Sequence, residues 1–331
     1  MRASRWASRR RSISRRDCAA RSSGIASTSP TRNSRPLGRK RPGRRAALER
    51  RLSGRARPAP DPELSSPSRP TISVVLTTFE RADACERALA SVLAQSEQPL
   101  EILVCDHGSR DDSPERLRAW EDRSELVRYL RLEPNRGTPA APRNLGIERA
   151  RGDWIAFLDD DDEWLPEKLA RQSAVLEAGL ADVVGTNALR SSGGNYFPDP
   201  APIWRPAPGE VLATNPIITS SVIVRRALLD AASGFDTSAR VRNVEDYAMW
   251  LDLAERGARF VVLGEPLVRY EDSGEQRISA TRVRTQAAVA RLAWRHALRS
   301  RRPTAIWGAA RKSAGALQLA ARDRLARLNR P

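Results

Sequence analysis

From Pro70 onward the chain alternates short apolar runs with amphipathic stretches. The run "TISVVLTTF" predicts a buried strand over residues 72–76, and "CERALASVLAQ" sets Leu89, Val92 and Leu93 at helical spacing. "LEILVCDHGS" predicts a second strand ending in a turn, and "SPERLRAWEDR" a helix with Ser113 as N-cap and Pro114 in its first position. A third strand in "LVRYLRL", a loop and helix over "PAAPRNLGIERARG" closed by Gly152, and a fourth strand in "WIAFL" follow. Strands separated by helices need crossover connections, so the pattern implies an α/β fold: a Rossmann-like, mainly parallel sheet with helices on both faces. After a helix in "WLPEKLARQSAVLEAG", whose first turn holds Pro166, the alternation loosens. "ADVVGTNAL" and "ITSSVIVRR" predict strands joined by a Pro- and Gly-rich connection at residues 191–209. "VEDYAMWLDLAERG" predicts a helix, and "RFVVL" and "PLVRY" two short strands.

Polar residues follow the strands: Thr77 and Thr78 after the first, Asp106 after the second, and Asp159, Asp160, Asp161 and Asp162 after the fourth. In a doubly wound sheet that end is where ligands bind. Four adjacent carboxylates repel one another, and both burial and proximity raise their pKa values. A divalent metal removes the conflict. Mg²⁺ or Mn²⁺ is held by one or two carboxylates, water and substrate phosphate, so the run predicts a phosphorylated substrate together with a metal. The structural alternative is that the acids cap the helix beginning near Pro166, which needs only one or two of them.

Composition separates a centre from two ends. The 331 residues carry a net charge of +17, but residues 1–70 hold +16 and residues 281–331 hold +12, leaving the centre at −11. Residues 1–69 are rich in Arg, Ser, Pro, Ala and Gly, lack an apolar pattern and are expected to be disordered. A basic arm for nucleic acid or acidic lipid, a targeting peptide, or no role are the readings open to them, and the last is preferred because no aromatics interleave the arginines. No run approaches the roughly 18 apolar residues of a spanning helix, and a cytoplasmic protein, or one peripheral at the inner face of the membrane, is expected. Cys18, Cys85 and Cys105 have no metal-ligand spacing, and two histidines exclude a histidine-rich metal site.

The segments "TISVVLTTFERADACERALASVLAQS", "LEILVCDHGSRDDS", "NRGTPAAPRNLGIERARGDWIAFLDDDDEWLPEKL", "GFD" and "VEDYAMWL" resemble, in order and spacing, the family 2 glycosyltransferases, which have the GT-A fold. The resemblance covers roughly residues 70–279 and neither basic end. It implies an inverting transferase that moves a sugar from a nucleotide diphosphate donor to an acceptor hydroxyl on a polysaccharide, lipid-linked sugar or other envelope glycan. With the composition it sets a layout of basic extension at 1–69, catalytic domain at 70–280 and basic helical tail at 281–331. Carried over by position, Thr77 and Phe79 lie at the nucleotide, Asp106 and His107 at the base and ribose, and Arg143 near the ribose and diphosphate. Asp159 and Asp161 form the Asp-x-Asp, Asp161 and Asp162 contact the metal, Mn²⁺ or Mg²⁺, and Asp246 is the catalytic base with Glu245 in support.

Departures and rivals bound this picture. His107 stands where the family usually has a second Asp, which leaves the nucleobase open and keeps an inactive nucleotide-sugar-binding relative as an alternative. "EDSGEQRIS" lacks a histidine found in many relatives, and Asp272 reads as surface. A nucleotidyltransferase would need a basic Gly-rich loop where this chain has "TTFERAD", and the acidic centre opposes a nucleic-acid-binding protein, so no specific nucleic acid is expected. Trp250 reads as core, and Trp164 as packing under the acidic loop. In the tail, Arg284, Arg291, Arg295, Arg299 and Arg302 share one helical face, and after Pro303 apolar residues recur at Trp307, Ala310, Ala314, Leu317, Ala321 and Leu325. This pair reads either as a membrane-surface anchor or as a helix packed on the domain with a solvated basic face.

Overall fold

The computed structural model describes residues 69–273, 282–300, 306 and 308–318. The expectation of disorder for residues 1–69 falls, but for Arg69, outside them, as do Trp307, Ala321 and Leu325 of the tail. The elements run β1 (Ile72–Thr78), α1 (Ala82–Leu93), β2 (Glu101–Asp106), α2 (Ser113–Arg118), β3 (Val127–Arg131), α3 (Ala140–Arg149) and β4 (Trp154–Asp159). Then come β5 (Glu163–Trp164), α4 (Lys168–Glu177), β6 (Val183–Arg190), β7 (Ile203–Trp204), α5 (Pro208–Thr214), a 3-10 turn (Thr219–Ser221), β8 (Ile223–Arg225), α6 (Arg226–Ala231), α7 (Glu245–Glu255), β9 (Phe260–Tyr270) and α8 (Arg282–Ser300). One sheet has the order β3-β2-β1-β4-β8-β6-β9-β5, with β7 paired to β9.

The first four strands are parallel, and their alternation shows why they read as unbroken apolar runs. Val74 and Leu76 face one core with Leu89, Val92 and Leu169, whereas Val75, Phe157 and Ile155 face a second core with Ile147, Tyr247 and Trp250. Both faces are covered, so every position of β1 and β2 is buried. β8 joins β4 antiparallel, and β6 and β9 continue beyond it.

Several boundaries differ from the sequence expectation. Thr77 and Thr78 lie within β1, paired with Cys105 and Asp106, because the ladder with β2 continues to its end. Asp112, rather than Ser113, is the N-cap of α2. The helix α3 stops at Arg149, and Gly152 lies beyond it against β1, where a Cβ would meet Ser73 N at 2.7 Å and Thr71 O at 2.8 Å. "ITSSVIVRR" forms a 3-10 turn before a three-residue strand. "RFVVL" and "PLVRY" are one strand, because register shifts on either side of Asn187, which pairs with Pro266, let the ladder absorb the intervening Gly264 and Glu265. In the tail, α8 packs on the domain through Ala288, Ala290, Ala293 and Ala297, with Arg291, Arg295 and Arg299 exposed.

Helix α3 approaches β1 closely because residue 146 is glycine: a Cβ there would come within 2.4 Å of Val75 Cγ1. Gly146→Ala is therefore expected to lower stability by about 1–3 kcal/mol in urea unfolding, and Val75→Ala in the same chain to restore part of it. Full stability of the single variant would contradict this packing.

Candidate active site

The carboxyl ends of β2, β1 and β4 are neighbours, and the register aligns Thr78 with Asp106 and Thr77 with Asp159. The acidic run starts on the last residue of β4 and turns at once, Asp162 N donating to Asp159 O at 3.2 Å. None of its side chains caps α4, whose N-cap position is Glu167 without a side-chain cap bond. Hydroxyls and guanidinium groups of other elements take the carboxylates instead. Thr77 Oγ1 donates to Asp159 Oδ1 (3.2 Å) and Thr78 Oγ1 to Asp160 Oδ2 (2.7 Å). Arg81 bridges Asp160 Oδ1 (3.1 Å) and Asp161 Oδ2 (3.0 Å). Arg143 reaches Asp159 Oδ1 at 2.6 Å and, on its other side, Glu245 Oε1 at 3.4 Å.

These contacts leave the run short of compensation. Burial pushes the Asp160 carboxyl up to about 6, against the pull of Thr78 and Arg81. Burial and the neighbouring Asp159 raise Asp161, and burial with Asp161 raises Asp162 well above the ordinary range. Asp161 and Asp159 are the open members, their side chains 36% and 32% exposed. Asp161 borders a cavity of about 400 Å³ lined by Glu80, Arg81, Asp83, Asp111 and Glu271. A slightly larger cavity, about 430 Å³, lies at Trp154 and Arg225 by the opposite strand ends, where a sheet of this kind does not bind its ligand.

Across Arg143 sits the start of α7. Asp246 Oδ2 accepts from Thr219 Oγ1 at 3.1 Å, its Oδ1 accepts from Tyr247 N at 2.6 Å, and burial raises its pKa against the pull of Arg143. Glu245 Oε2 and Arg143 Nε are buried without a partner, as polar atoms waiting for a ligand would be. Thus Thr77, Asp159, Arg143 and Glu245 form one connected constellation, with Asp246 next to Glu245 at the start of α7.

Three residues stand differently from their expected places. Asp106 is fully buried, with Oδ1 taken by Ser109 N and Oγ and Oδ2 by Tyr129 OH, so it builds a turn rather than offering a carboxylate. Ser109 Oγ in turn accepts from Glu80 N (2.8 Å) and fixes the bend, Glu80 φ 52°, that aims Phe79 and Arg81. Phe79 is 40% exposed and presents its ring at the rim. His107 is buried, and its Nε2 accepts from Arg136 N at 2.9 Å. Asp162 is 2% exposed and accepts from Glu271 N at 2.8 Å, which makes it an anchor for β9 rather than an open ligand.

Sequence patterns gave Arg81 no role and placed Thr219 and Ser220 in a strand. Ser220 Oγ accepts from Asp159 N (3.1 Å) and its hydroxyl bonds to Asp162, while Thr219 holds Asp246. Trp164 packs under the acidic loop, its Nε1 donating to Ser220 O at 2.7 Å, and Trp250 is core, both as expected. Asp272 accepts from Ser192 N at 2.8 Å and from the Ser191 and Ser192 hydroxyls, tying the turn after β6 to the end of β9.

Among the described residues no three His, Cys, Asp or Glu side chains form a cage that could hold an ion alone. Two carboxylates at an open rim, Asp159 and Asp161, each with one oxygen engaged by arginine, fit an ion that completes its shell with water and phosphate.

The family model described as Glycosyl transferase family 2 matches residues 73–226. TuaG of Bacillus subtilis (strain 168), whose name places it in teichuronic acid biosynthesis, is 28% identical over 204 residues, 61% of this chain and 79% of its own. S. aureus TarS 1-349 in complex with UDP-GlcNAc superposes with a TM-score of 0.54 at 22% identity, over 67% of this chain and 66% of that one. The mannosyltransferase PcManGT from Pyrobaculum calidifontis, in complex with GDP-Man and Mn²⁺, superposes with a TM-score of 0.52 at 20% identity, over 86% and 87% of the two chains. At these identities the two structures establish the GT-A fold.

The His107 contact gives a pH dependence. Burial lowers its pKa, opposed by Asp106 and assisted by Arg136, and protonation of Nε2 would set two donors face to face. The unfolded chain takes up the proton first, so this contribution is complete above the ordinary imidazole value, about 6.5, and is lost as pH falls through the lowered one. Hydrogen-exchange protection of the Arg136 amide, corrected for intrinsic rate, is expected to drop as pH falls from about 7 to about 5. Unchanged protection would contradict the assigned tautomer.

Proposed function

We propose that this chain, whose residues 73–226 match the family 2 glycosyl transferase model, transfers a sugar from a nucleotide diphosphate donor to a glycan hydroxyl in one inverting displacement. The observation that carries this reading is the position of Arg143, which joins Asp159 of the acidic rim to Glu245, the neighbour of Asp246. The donor's diphosphate lies along the rim between Thr77 and Arg143, with the ring of Phe79 against the nucleoside. The acceptor hydroxyl approaches Asp246 from the far side of the sugar.

Each side chain then has a defined task. Asp246 takes the proton of the attacking hydroxyl as its oxygen bonds to the anomeric carbon and the bond to the diphosphate breaks. Its raised pKa brings it nearer to neutrality, where a base is most effective. Thr219 and Tyr247 N hold the carboxylate in one orientation. Arg143 meets the charge that grows on the leaving diphosphate. Glu245, buried with one free oxygen, accepts from a sugar hydroxyl. Asp161, with Asp159, would hold a divalent ion, which when bound supplies charge neutralisation to the diphosphate. Asp162 keeps that loop fixed to β9. Support for the donor class and metal comes from the solved relatives, one bound to UDP-GlcNAc and one to GDP-Man with Mn²⁺. The polysaccharide acceptor follows the naming of TuaG.

A panel of nucleotide-sugars, with and without Mn²⁺, tests this by thermal shift and by transfer to glycan acceptors. Asp246→Asn is expected to keep the donor-dependent shift and lose about 10²–10⁴-fold in kcat. Asp161→Asn is expected to lose the part of the shift that requires metal. Full transfer by Asp246→Asn would remove it as base, and metal-dependent donor binding without transfer in the wild type would mark an inactive relative.

A further inference from the structure

The C-terminal helices bury several small residues and expose several large ones, although Val289 and Leu292 pack partly buried against the domain. On α8 the side chains of Ala290, Ala293, His296 and Ala297 are buried, whereas Trp294 is 38% and Leu298 70% exposed. Trp294 and Leu298 are one turn apart, and Arg291 and Arg295 share their arc. In the helix at residues 308–318, Gly308 and Ala309 face inward while Ala310, Ala314 and Leu317 face outward. Leu317 is 71% exposed and Ile306, just before that helix, 44%. Trp294 Nε1 donates to Ser313 Oγ at 2.9 Å, so the outward rows of the two helices adjoin.

Charge is equally one-sided. Residues 282–318 contain eight arginines and one lysine and neither Asp nor Glu. Four of the nine large apolar side chains exposed among the described residues lie in this segment. Such clustering differs from the scattered single exposures that need no explanation.

We propose that this two-helix face docks on an anionic lipid surface, with Arg291 and Arg295 at the headgroup phosphates and Trp294, Leu298, Ile306 and Leu317 entering the boundary of headgroups and acyl chains. A second copy of the chain is a poor occupant, because a self-complementary contact would bring the same arginines face to face. A polyanion in water would satisfy the arginines and leave the leucines exposed. Only a surface that is anionic outside and apolar beneath satisfies both sets. No helix of the described residues is long and apolar enough to cross a membrane, so the contact is interfacial. The proposal stands apart from the glycosyl-transfer chemistry and goes beyond it.

The test uses the full chain and vesicles of phosphatidylcholine, alone or with about one third phosphatidylglycerol, in a sedimentation assay at about 0.1 M salt. Residues 1–70 carry 20 Lys and Arg, which alone would draw the chain to anionic vesicles, so the decisive variant keeps its charge. Leu298→Ser with Leu317→Ser changes only side chains about 70% exposed, and a thermal melt confirms that the fold is unaltered. The wild type is expected to bind the mixed vesicles, and the double variant to bind them at least about tenfold more weakly. Equal binding by the two proteins, or no binding by the wild type, overturns the proposal. A change in the sedimentation mass of the lipid-free protein on going to the variant would assign the face to a second copy and overturn it as well.

Discussion

Four carboxylates in succession can sit at the end of a buried strand only if other parts of the chain hold them. Here the threonines of β1 supply hydroxyl donors, Arg81 from the edge of α1 bridges two acids, and Arg143 from α3 takes a third. The compensation is incomplete, and burial still raises the pKa of Asp160, Asp161 and Asp162. A site in this condition gains stability from a cation that enters it.

The elements around the run serve this requirement. Asp106 gives up both oxygens to a turn, and through Ser109 that turn fixes Glu80 and hence the aim of Phe79 and Arg81. On the other side the Thr219–Ser221 turn touches both halves of the proposed chemistry, with Ser220 on the acidic loop and Thr219 on Asp246. That turn rests on buried polar groups. Gln172 donates to Val184 O and Ser221 O while accepting from Lys168, whose ammonium lies 3.9 Å from the Trp164 ring centroid. Burial drives the Lys168 pKa well below its ordinary value.

The tail shows how a helix can face two environments. Alanines on α8 allow close approach to α7, and His296 and Arg299 both reach Glu255. With alanines on much of the inner surface, Trp294 and Leu298 fall on the outside beside the arginines, while Val289 and Leu292 pack partly buried against the core. Sequence periodicity located the arginine face and the apolar row of the second segment, but the direction each faced depended on which residues could pack against the domain.

Much of the fold was written in local pattern. Unbroken apolar runs marked β1, β2 and β4 because both faces of a parallel sheet are covered, and the structure brings Asp159 and Arg143 into contact, with Asp246 next to Arg143's partner Glu245. The motifs also placed Asp106, His107 and Asp162 in contact with ligand or metal, but tertiary contacts turned all three inward, since Tyr129, Arg136 and Glu271 arrive from distant segments to take their hydrogen bonds. Thr219, Ser220 and Arg81 carried no readable signal, for a hydroxyl or guanidinium acquires its role from the carboxylate it meets. Sequence by itself determined which residues lie at strand ends, because burial and periodicity are local properties. Only the tertiary structure decided which polar groups are spent inside the protein and which stay open to a ligand, because each hydrogen bond needs a partner that the chain supplies from far away.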